Sequence, residues 1–498
     1  MQGKRGSFFG DIPLQPLRSL RVNKIACVFL LQIFLAQSVL SAVDHPPSVF
    51  RWSLNSTPQN LDPGKYAHNL STYFISQIYG SLLNTDGKKI TAGLAEKCFF
   101  QGLKKVRCLM GKSKFSNGSP IKSSDFLVAA EKLSGRFPFP TFRAKATKEL
   151  VLDFELEENT PGFLYLLTIP WLTAFEQKNL DFSDPEKLVT SGPYQIQKWV
   201  HQKSITLAPN PGYVHAHRQR PFQEIQIIPE DMNSYFLFQK KQLDFLRRLP
   251  FPLFEELQHH KNYVSQRMWK MDALVLSDKI PEHIRQTLIR HLDYQAWQKL
   301  LAAPPRPGCL GVPSFLSKKP ICVDSTIHQN PRTLQPQPPS LDFTYSYSLA
   351  GGEHHRMNAE WLQHQWKTHL GWELKINPLE NQTFLSSALS GKLSIHYKNI
   401  SIFSPYCLEI LQRFSEESKD PVFVMKDPRW KQILNHLKVG KIKSSEEKLC
   451  SEALNLLMKQ DRMIPAGPMD FSYLLQNSWK GLSLNPLNQL DLRFLHTH

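Results

Sequence analysis

The sequence predicts an α/β protein with more than one core. Three observations carry this. Between residues 341 and 397, strand-like and helix-like segments alternate, as in a largely parallel sheet with helical crossovers. Between residues 43 and 250, short strands bounded by Gly and Pro turns mix with helices and show no internal repeat. The 498 residues, 41% hydrophobic and with 31 Phe, are enough for two or three domains.

Taken in order, the chain opens with an export signal. Lys4, Arg5, Arg18, Arg21 and Lys24 precede the apolar run Ile25–Ala36, and Ser38, Ser41 and Ala42 supply the small residues of a cleavage site after Ala42. Gln32 and Gln37 break the run, which favours cleavage of residues 1–42 over a retained membrane anchor. The formal charge is +17, of which about +13 stays with the rest of the chain. Basic residues are not interleaved with aromatics, and no zinc-finger or helix-turn-helix pattern occurs, so nucleic acid is not an expected partner.

Arg51–Leu54 reads as a strand. Leu70–Leu83 has apolar residues at helical spacing. Ser123 or Ser124 is placed to cap a helix beginning at Asp125. Val151–Leu156 alternates as a strand, and Pro161–Ile169 suits a short helix. Ser191-Gly192-Pro193-Tyr194 and Asn210-Pro211-Gly212-Tyr213 are turns, and between them Gln195–Trp199 and Ser204–Leu207 form a hairpin. Glu224–Pro229 is a strand, Met232–Lys241 a helix and Leu243–Phe245 a short strand. Trp269–Ser277 is a strand leading to one long helix from Pro281 to Leu301. The Pro-rich stretch 324–340 reads as an extended linker. Beyond it come a strand over 341–349, a helix Arg356–Leu370 stopped by Gly371, a strand Trp372–Ile376, a helix Thr383–Leu389 and a strand Leu393–Tyr397. Helices at Pro428–Leu437 and Glu446–Lys459 precede an extended C-terminal part.

Without Cys27 of the signal, six cysteines remain, an even number in an exported chain. Cys98 and Cys108 flank a turn at Gly102 and would face each other across a hairpin. Cys309 with Cys322 and Cys407 with Cys450 complete a sequential pattern.

These turns, in this order, resemble the large extracytoplasmic solute-binding proteins of ABC transporters, of the oligopeptide- and dipeptide-binding type (bacterial family 5). The marks are Leu61-Asp62-Pro63 with Ile78–Leu83, Gly93–Glu96, Lys114–Pro120 with Ser124-Asp125-Phe126, Ser191–Tyr194, Trp199, Asn210–Tyr213, Leu243-Asp244-Phe245, Ile284–Leu288 and Asp293. The resemblance implies a two-lobed periplasmic-binding-protein fold (class II, large peptide-binding type) with a hinge and an interlobe cleft. The first lobe would span 43–270, with a subdomain over 62–185, and be completed by 470–498. The second would span 271–469. It further implies a monomeric periplasmic receptor that binds a peptide or peptide-like ligand and delivers it to ABC permease subunits, without a cofactor.

By the same resemblance, Tyr66, Ala67, His68 and Asn69 correspond to the first-lobe cleft strand. Tyr397, Asn399, Ser401 and Phe403 correspond to the second-lobe strand, with Asn381 and Ala388 on the helix region before it. Peptide-binding relatives place an Asp near the end of this strand for the ligand's ammonium, and here Phe403 stands there. Either another acid such as Glu409 takes over, or the ligand lacks a free amine. The rival expectation is a binding-protein fold repurposed as a sensor or surface interaction protein.

Other chemistry finds little support. His215 with His217, and His354-His355 with His364, fit no zinc spacing. Asp62 and Asp244 sit where Asp caps turns and strand ends. Gly-x-Ser-x-Gly elbows, phosphate loops and Cys/His nucleophile arrangements are absent from the sequence, so no enzyme is expected.

Overall fold

The structure is a computed structural model that describes residues 48–58, 60–63, 69–176, 182–215, 217, 220–301, 308–312, 316–317, 319–323, 343–418, 421–439 and 443–497. The export signal over 1–42, the segment Tyr66–His68 and the linker 324–340 lie outside the described residues.

The strands, in chain order, are β1 (Val49–Leu54), β2 (Leu83–Thr85), β3 (Ile90–Ala92), β4 (Ala95–Phe100), β5 (Lys105–Met110), β6 (Phe142–Lys148), β7 (Val151–Leu156), β8 (Tyr194–Val200), β9 (Ser204–Pro209) and β10 (Phe222–Ile227). They continue as β11 (Phe245–Leu246), β12 (Tyr263–Leu276), β13 (Thr344–Ser348), β14 (Lys375–Leu379), β15 (Ile395–Ser401) and β16 (Met463–Leu475). A 10-stranded sheet has the order β14-β13-β15-β12-β16-β11-β1-β10-β9-β8. β1 runs parallel to β10 and β11, and β13 runs parallel to β14 and β15. The long strands β12 and β16 pair antiparallel and join these two parallel groups. Their register shifts between Arg267 and Met271.

The two ends of the sheet bury different cores, as a two-lobed α/β fold requires. Phe50, Trp52, Phe74, Tyr194, Ile205 and Ile225 fill one. At the other end, Leu274, Trp297, Tyr345 and Trp366 pack on one face, and Met271, Ile400, Leu411 and Trp430 on the opposite face. A separate sheet, in the order β4-β5-β7-β6, folds over Val106, Cys108, Phe126, Leu152 and Phe154. Alternation along each strand puts these residues on one face, which is why they meet. Disulfides join Cys98 to Cys108, Cys309 to Cys322 and Cys407 to Cys450, the sequential pattern. Among the described residues no helix is long and apolar enough to cross a membrane.

The hairpin of β8 and β9 closes one edge of the large sheet. The turn Ser191–Tyr194 that leads into β8 packs so tightly that a Cβ on Gly192 would come within 2.5 Å of the Ile78 carbonyl carbon and 2.6 Å of the Tyr79 nitrogen. This approach also shortens the helix expected over Leu70–Leu83, which spans only Asn69–Ile78. The Gly192 N–H donates to the Ile78 carbonyl at 2.9 Å, and the chain turns into β2.

Three further expectations are corrected. The helix from Pro281 to Leu301 is two helices, Glu282–Arg290 and Tyr294–Leu301. Asp293 restarts it, its carboxylate accepting from Gln295 N at 3.0 Å and Ala296 N at 2.9 Å. Neither Ser123 nor Ser124 caps the helix near Asp125. Ser123 Oγ donates to the Lys148 carbonyl at 2.6 Å, while Asp125 accepts from Lys122 N at 2.7 Å and the α-helix starts at Leu127. The strand expected over Trp372–Ile376 forms at Lys375–Leu379, because Trp372 and Leu374 are buried in the helix–sheet core instead.

Candidate functional site

β15 lies antiparallel to β12, with Leu274 opposite Tyr397, Asp272 opposite Asn399 and Lys270 opposite Ser401. Tyr397, Asn399 and Ser401 therefore share one face of the sheet. The Asn399 amide donates to Asp272 Oδ1 at 2.7 Å, and the Tyr397 hydroxyl is hydrogen-bonded to the same carboxylate. Burial pushes the Asp272 carboxyl up, against the pull of these bonds and of His354 and Lys270. Burial also pushes the Tyr397 phenol well up, and the Asp272 charge adds to it. Tyr397 is 6% exposed and packs with His355, ring centroids 5.1 Å apart. Ser401 Oγ donates to Asn399 Oδ1 at 3.4 Å.

Just past Ser401 the chain borders a cavity of about 240 Å³. One wall is Ser401, Ile402 and Phe403 with the helix Cys407–Gln412 and the following residues to Ser418. The other is the loop Gly135–Thr141 with Glu157, Glu158 and Thr160. Aromatic contacts close one side: Phe137 meets Phe403 edge-on at 5.5 Å and carries the Arg413 guanidinium 4.3 Å from its ring centroid. Lys438 adds a further tie, 3.0 Å from Glu417 and 3.5 Å from Glu158.

Glu409 is the unusual group in this wall. Its Oε2 accepts a short hydrogen bond from Ser404 Oγ, while its Oε1 is shut off from solvent and has no hydrogen-bond partner. Burial pushes the carboxyl up to about 7, well above the usual carboxylate range. The Glu409 carboxylate packs against Gly162, where any Cβ would overlap Oε1 and Ser404 Oγ. A buried carboxyl with Oε1 unpartnered, in a cavity wall that also holds Phe137 and Phe403, suits a cationic group.

The sequence-derived residues divide by place. Ser401 and Phe403 line the cavity. Tyr397 and Asn399 turn to Asp272. Asn381 begins the helix Asn381–Leu389, and its side chain accepts from Ser348 Oγ at 2.9 Å. Asn69 begins the helix Asn69–Ile78, and Tyr66, Ala67 and His68 lie outside the described residues. Asp62 pairs with Lys132 at 3.0 Å, and Asp244 accepts from Arg51 N at 2.7 Å, so both do structural work. Sequence reasoning missed Phe137, Gly162 and Arg413. The run Phe137-Pro138-Phe139-Pro140, apolar yet unable to form a regular element, was the available signal.

Comparison with known proteins gives a consistent result. The sequence model of the bacterial extracellular solute-binding proteins, family 5 (middle part), matches residues 109–309. The probable deoxycholate-binding periplasmic protein YgiS of Escherichia coli is 20% identical over 476 residues, 84% of this chain and 88% of that one. The periplasmic oligopeptide-binding protein OppA of Salmonella typhimurium is 23% identical over 274 residues, 46% of this chain and 50% of that one. Among solved structures, an oligopeptide-binding protein of Borrelia burgdorferi superposes with a TM-score of 0.78 at 16% identity, covering 91% of this chain and 100% of that one. OppA of Haemophilus influenzae, solved with the peptide RPPGFSPFR, gives 0.76 at 17% identity and covers 91% of this chain and 99% of that one.

Proposed function

We propose that the chain, which the family 5 model of bacterial extracellular solute-binding proteins matches over residues 109–309, is the periplasmic receptor of an ABC importer, capturing peptides or peptide-like solutes between its lobes for a membrane permease. In this reading the lobes are 43–270 with 470–498, and 271–469. The register shift in β12 then lies where the lobes hinge. Closure buries the solute and creates the surface that a permease reads. A receptor of this kind binds and releases without covalent chemistry.

The observation that carries the reading is the cavity beside Ser401 and Phe403, with Glu409 in its wall. Phe403 leaves no carboxylate at the strand end, and Glu409 stands six residues further on, in the helix Cys407–Gln412, buried and without a partner on Oε1. We assign Glu409 to the solute's ammonium. The cleft residues named from the sequence, Tyr66–Asn69, Asn381, Tyr397, Asn399, Ser401 and Phe403, complete the proposed site.

A second reading has one observation in its favour. The relative named for deoxycholate binding aligns over 88% of its own length, and deoxycholate carries no amine. Native mass spectrometry of the purified exported chain, followed by calorimetry with a tri- to pentapeptide pool and with deoxycholate, separates the two. Peptide binding that is lost on N-acetylation supports the peptide receptor and the ammonium at Glu409. Binding of deoxycholate with no response to any peptide pool overturns the peptide reading.

A further inference from the structure

Arg247 is a buried guanidinium that forms no salt bridge among the described residues. It follows directly on β11 and is 5% exposed. Its Nη2 donates to Asn55 Oδ1 at 2.6 Å, its Nε has no hydrogen-bond partner, and its central carbon lies 5.1 Å from the Tyr73 ring centroid. The Tyr73 hydroxyl in turn donates to Asn488 Oδ1. The acid whose charge reaches it, Asp231, is already engaged: it pairs with Arg248 at 3.2 Å and accepts from Asn55 Nδ2 at 2.9 Å. Burial pulls the Arg247 guanidinium down to about 10, which leaves it charged at neutral pH.

Buried charges in proteins are paired, and a guanidinium has five N–H groups to satisfy. Here the Tyr73 side chain, hydrogen-bonded to the guanidinium, and the Asn55 amide oxygen satisfy only part of it, and Nε is left without a partner. The position matters as much as the chemistry. Asn55 follows β1, and Arg247 follows β11, at the carboxyl ends of two parallel neighbouring strands. Solutes of open α/β sheets sit in the crevice outside those ends.

We propose that Arg247 anchors a carboxylate of the solute at the carboxyl ends of β1 and β11. The inference rests on the reading of the chain as a solute receptor and narrows its solutes to carboxylic acids. Its charged neighbours Arg248 and Asp231 pair with each other, so the guanidinium is left to balance a single negative charge. A phosphate dianion would leave a second charge buried, so a carboxylate fits better.

The test uses the exported chain and its Arg247→Met and Arg247→Lys variants. Calorimetry compares a tri- to pentapeptide pool with free carboxyls against the same pool amidated at the C-terminus. The wild type favours the free acids by about tenfold or more, Arg247→Met binds both pools alike, and Arg247→Lys keeps part of the preference. Equal binding of both pools by the wild type, or an unchanged preference in Arg247→Met, overturns the assignment. In parallel, thermal unfolding is followed in sodium acetate, sodium phosphate and sodium chloride at equal ionic strength. Stabilisation greatest in acetate and absent from Arg247→Met supports the anchor even where neither peptide pool binds, an outcome that defeats the peptide reading alone. Equal acetate effects in wild type and Arg247→Met overturn the anchor, and stabilisation greatest in phosphate replaces the carboxylate with a phosphate.

Discussion

Replacing Glu409 with Gln removes an ionisable group that folding forces to hold its proton. The carboxyl rises from 4.5 to about 7 because it is buried, with only Ser404 and the Gly162 backbone to offset that burial. At about 1.4 kcal/mol per pH unit, keeping it ionised in the fold costs about 3 kcal/mol relative to the unfolded chain. The sign follows from the direction of the shift. Below pH 4.5 the carboxyl is protonated folded and unfolded, and no penalty exists. From pH 4.5 to about 7 the folded chain holds a proton that the unfolded chain has lost, so stability falls as pH rises. Above about 7 the whole penalty stands. The neutral glutamine escapes it. Urea unfolding of both proteins, read by tryptophan fluorescence across this range, gives the difference directly, because other titrating groups cancel. The variant is expected to match the wild type at the acid end and to exceed it by about 3 kcal/mol at about pH 8. A difference that stays constant with pH refutes the burial of an uncompensated carboxyl at this site.

Other outcomes are accessible to the same methods. Gly162→Ala places a methyl onto Glu409 Oε1 and Ser404 Oγ, and a loss of about 1–3 kcal/mol is expected, relieved when Glu409→Ala is added; equal losses in the single and double variants count against the contact. Replacing Cys407 and Cys450 with Ser opens a loop of 43 residues and should lower stability to urea by about 4 kcal/mol, whereas a loss under about 1 kcal/mol contradicts the bond. Asp293→Ala uncaps the second helix after Pro281 and should cost about 1 kcal/mol, seen as a lower Tm; an unchanged Tm argues for one continuous helix. Arg247→Met, with no solute present, should raise Tm, since it removes a buried charge that forms no salt bridge among the described residues and keeps most of the volume; a large fall would show that Asn55 and Tyr73 satisfy the guanidinium.

Much of the architecture is legible because it is local. The β8–β9 hairpin announces itself by a Gly-Pro turn before it, a Pro-Gly turn after it and period-2 alternation, and it occupies the sheet edge as such a hairpin can. Gly371 stops its helix with φ at +71°, a conformation for which glycine is the natural choice. Expectations failed where a distant segment intervened. Gly80 weakens the helix locally, but its end at Ile78 coincides with the distant turn at Gly192, which takes the Ile78 carbonyl. The split at Asp293 was readable, since Asp before a helical run is a capping signal, but the continuous apolar stripe outweighed it.

The candidate site divides in the same way. Ser401 and Phe403 were reachable from sequence because they sit at the end of a recognisable strand, and Glu409 was singled out as a spare acid nearby. Their meaning comes from across the fold. Gly162, Phe137 and Glu158 arrive from a segment far earlier in the chain, and it is the Gly162 backbone, packed on the helix Cys407–Gln412, that lies against the Glu409 carboxyl.

The sequence by itself determined the α/β class, the sequential disulfides, most strands and turns, and the series of marks shared with family 5 binding proteins, all of which depend on residue identity and short spacing. The tertiary structure alone decided which ionisable groups are buried and how each is partnered: the Glu409 carboxyl at Gly162 with Oε1 left over, Asp272 bonded by Tyr397 and Asn399, and Arg247 between Asn55 and Tyr73 with Nε left over. Desolvation and pairing depend on what stands within a few ångströms in space, and chain order carries no record of that distance.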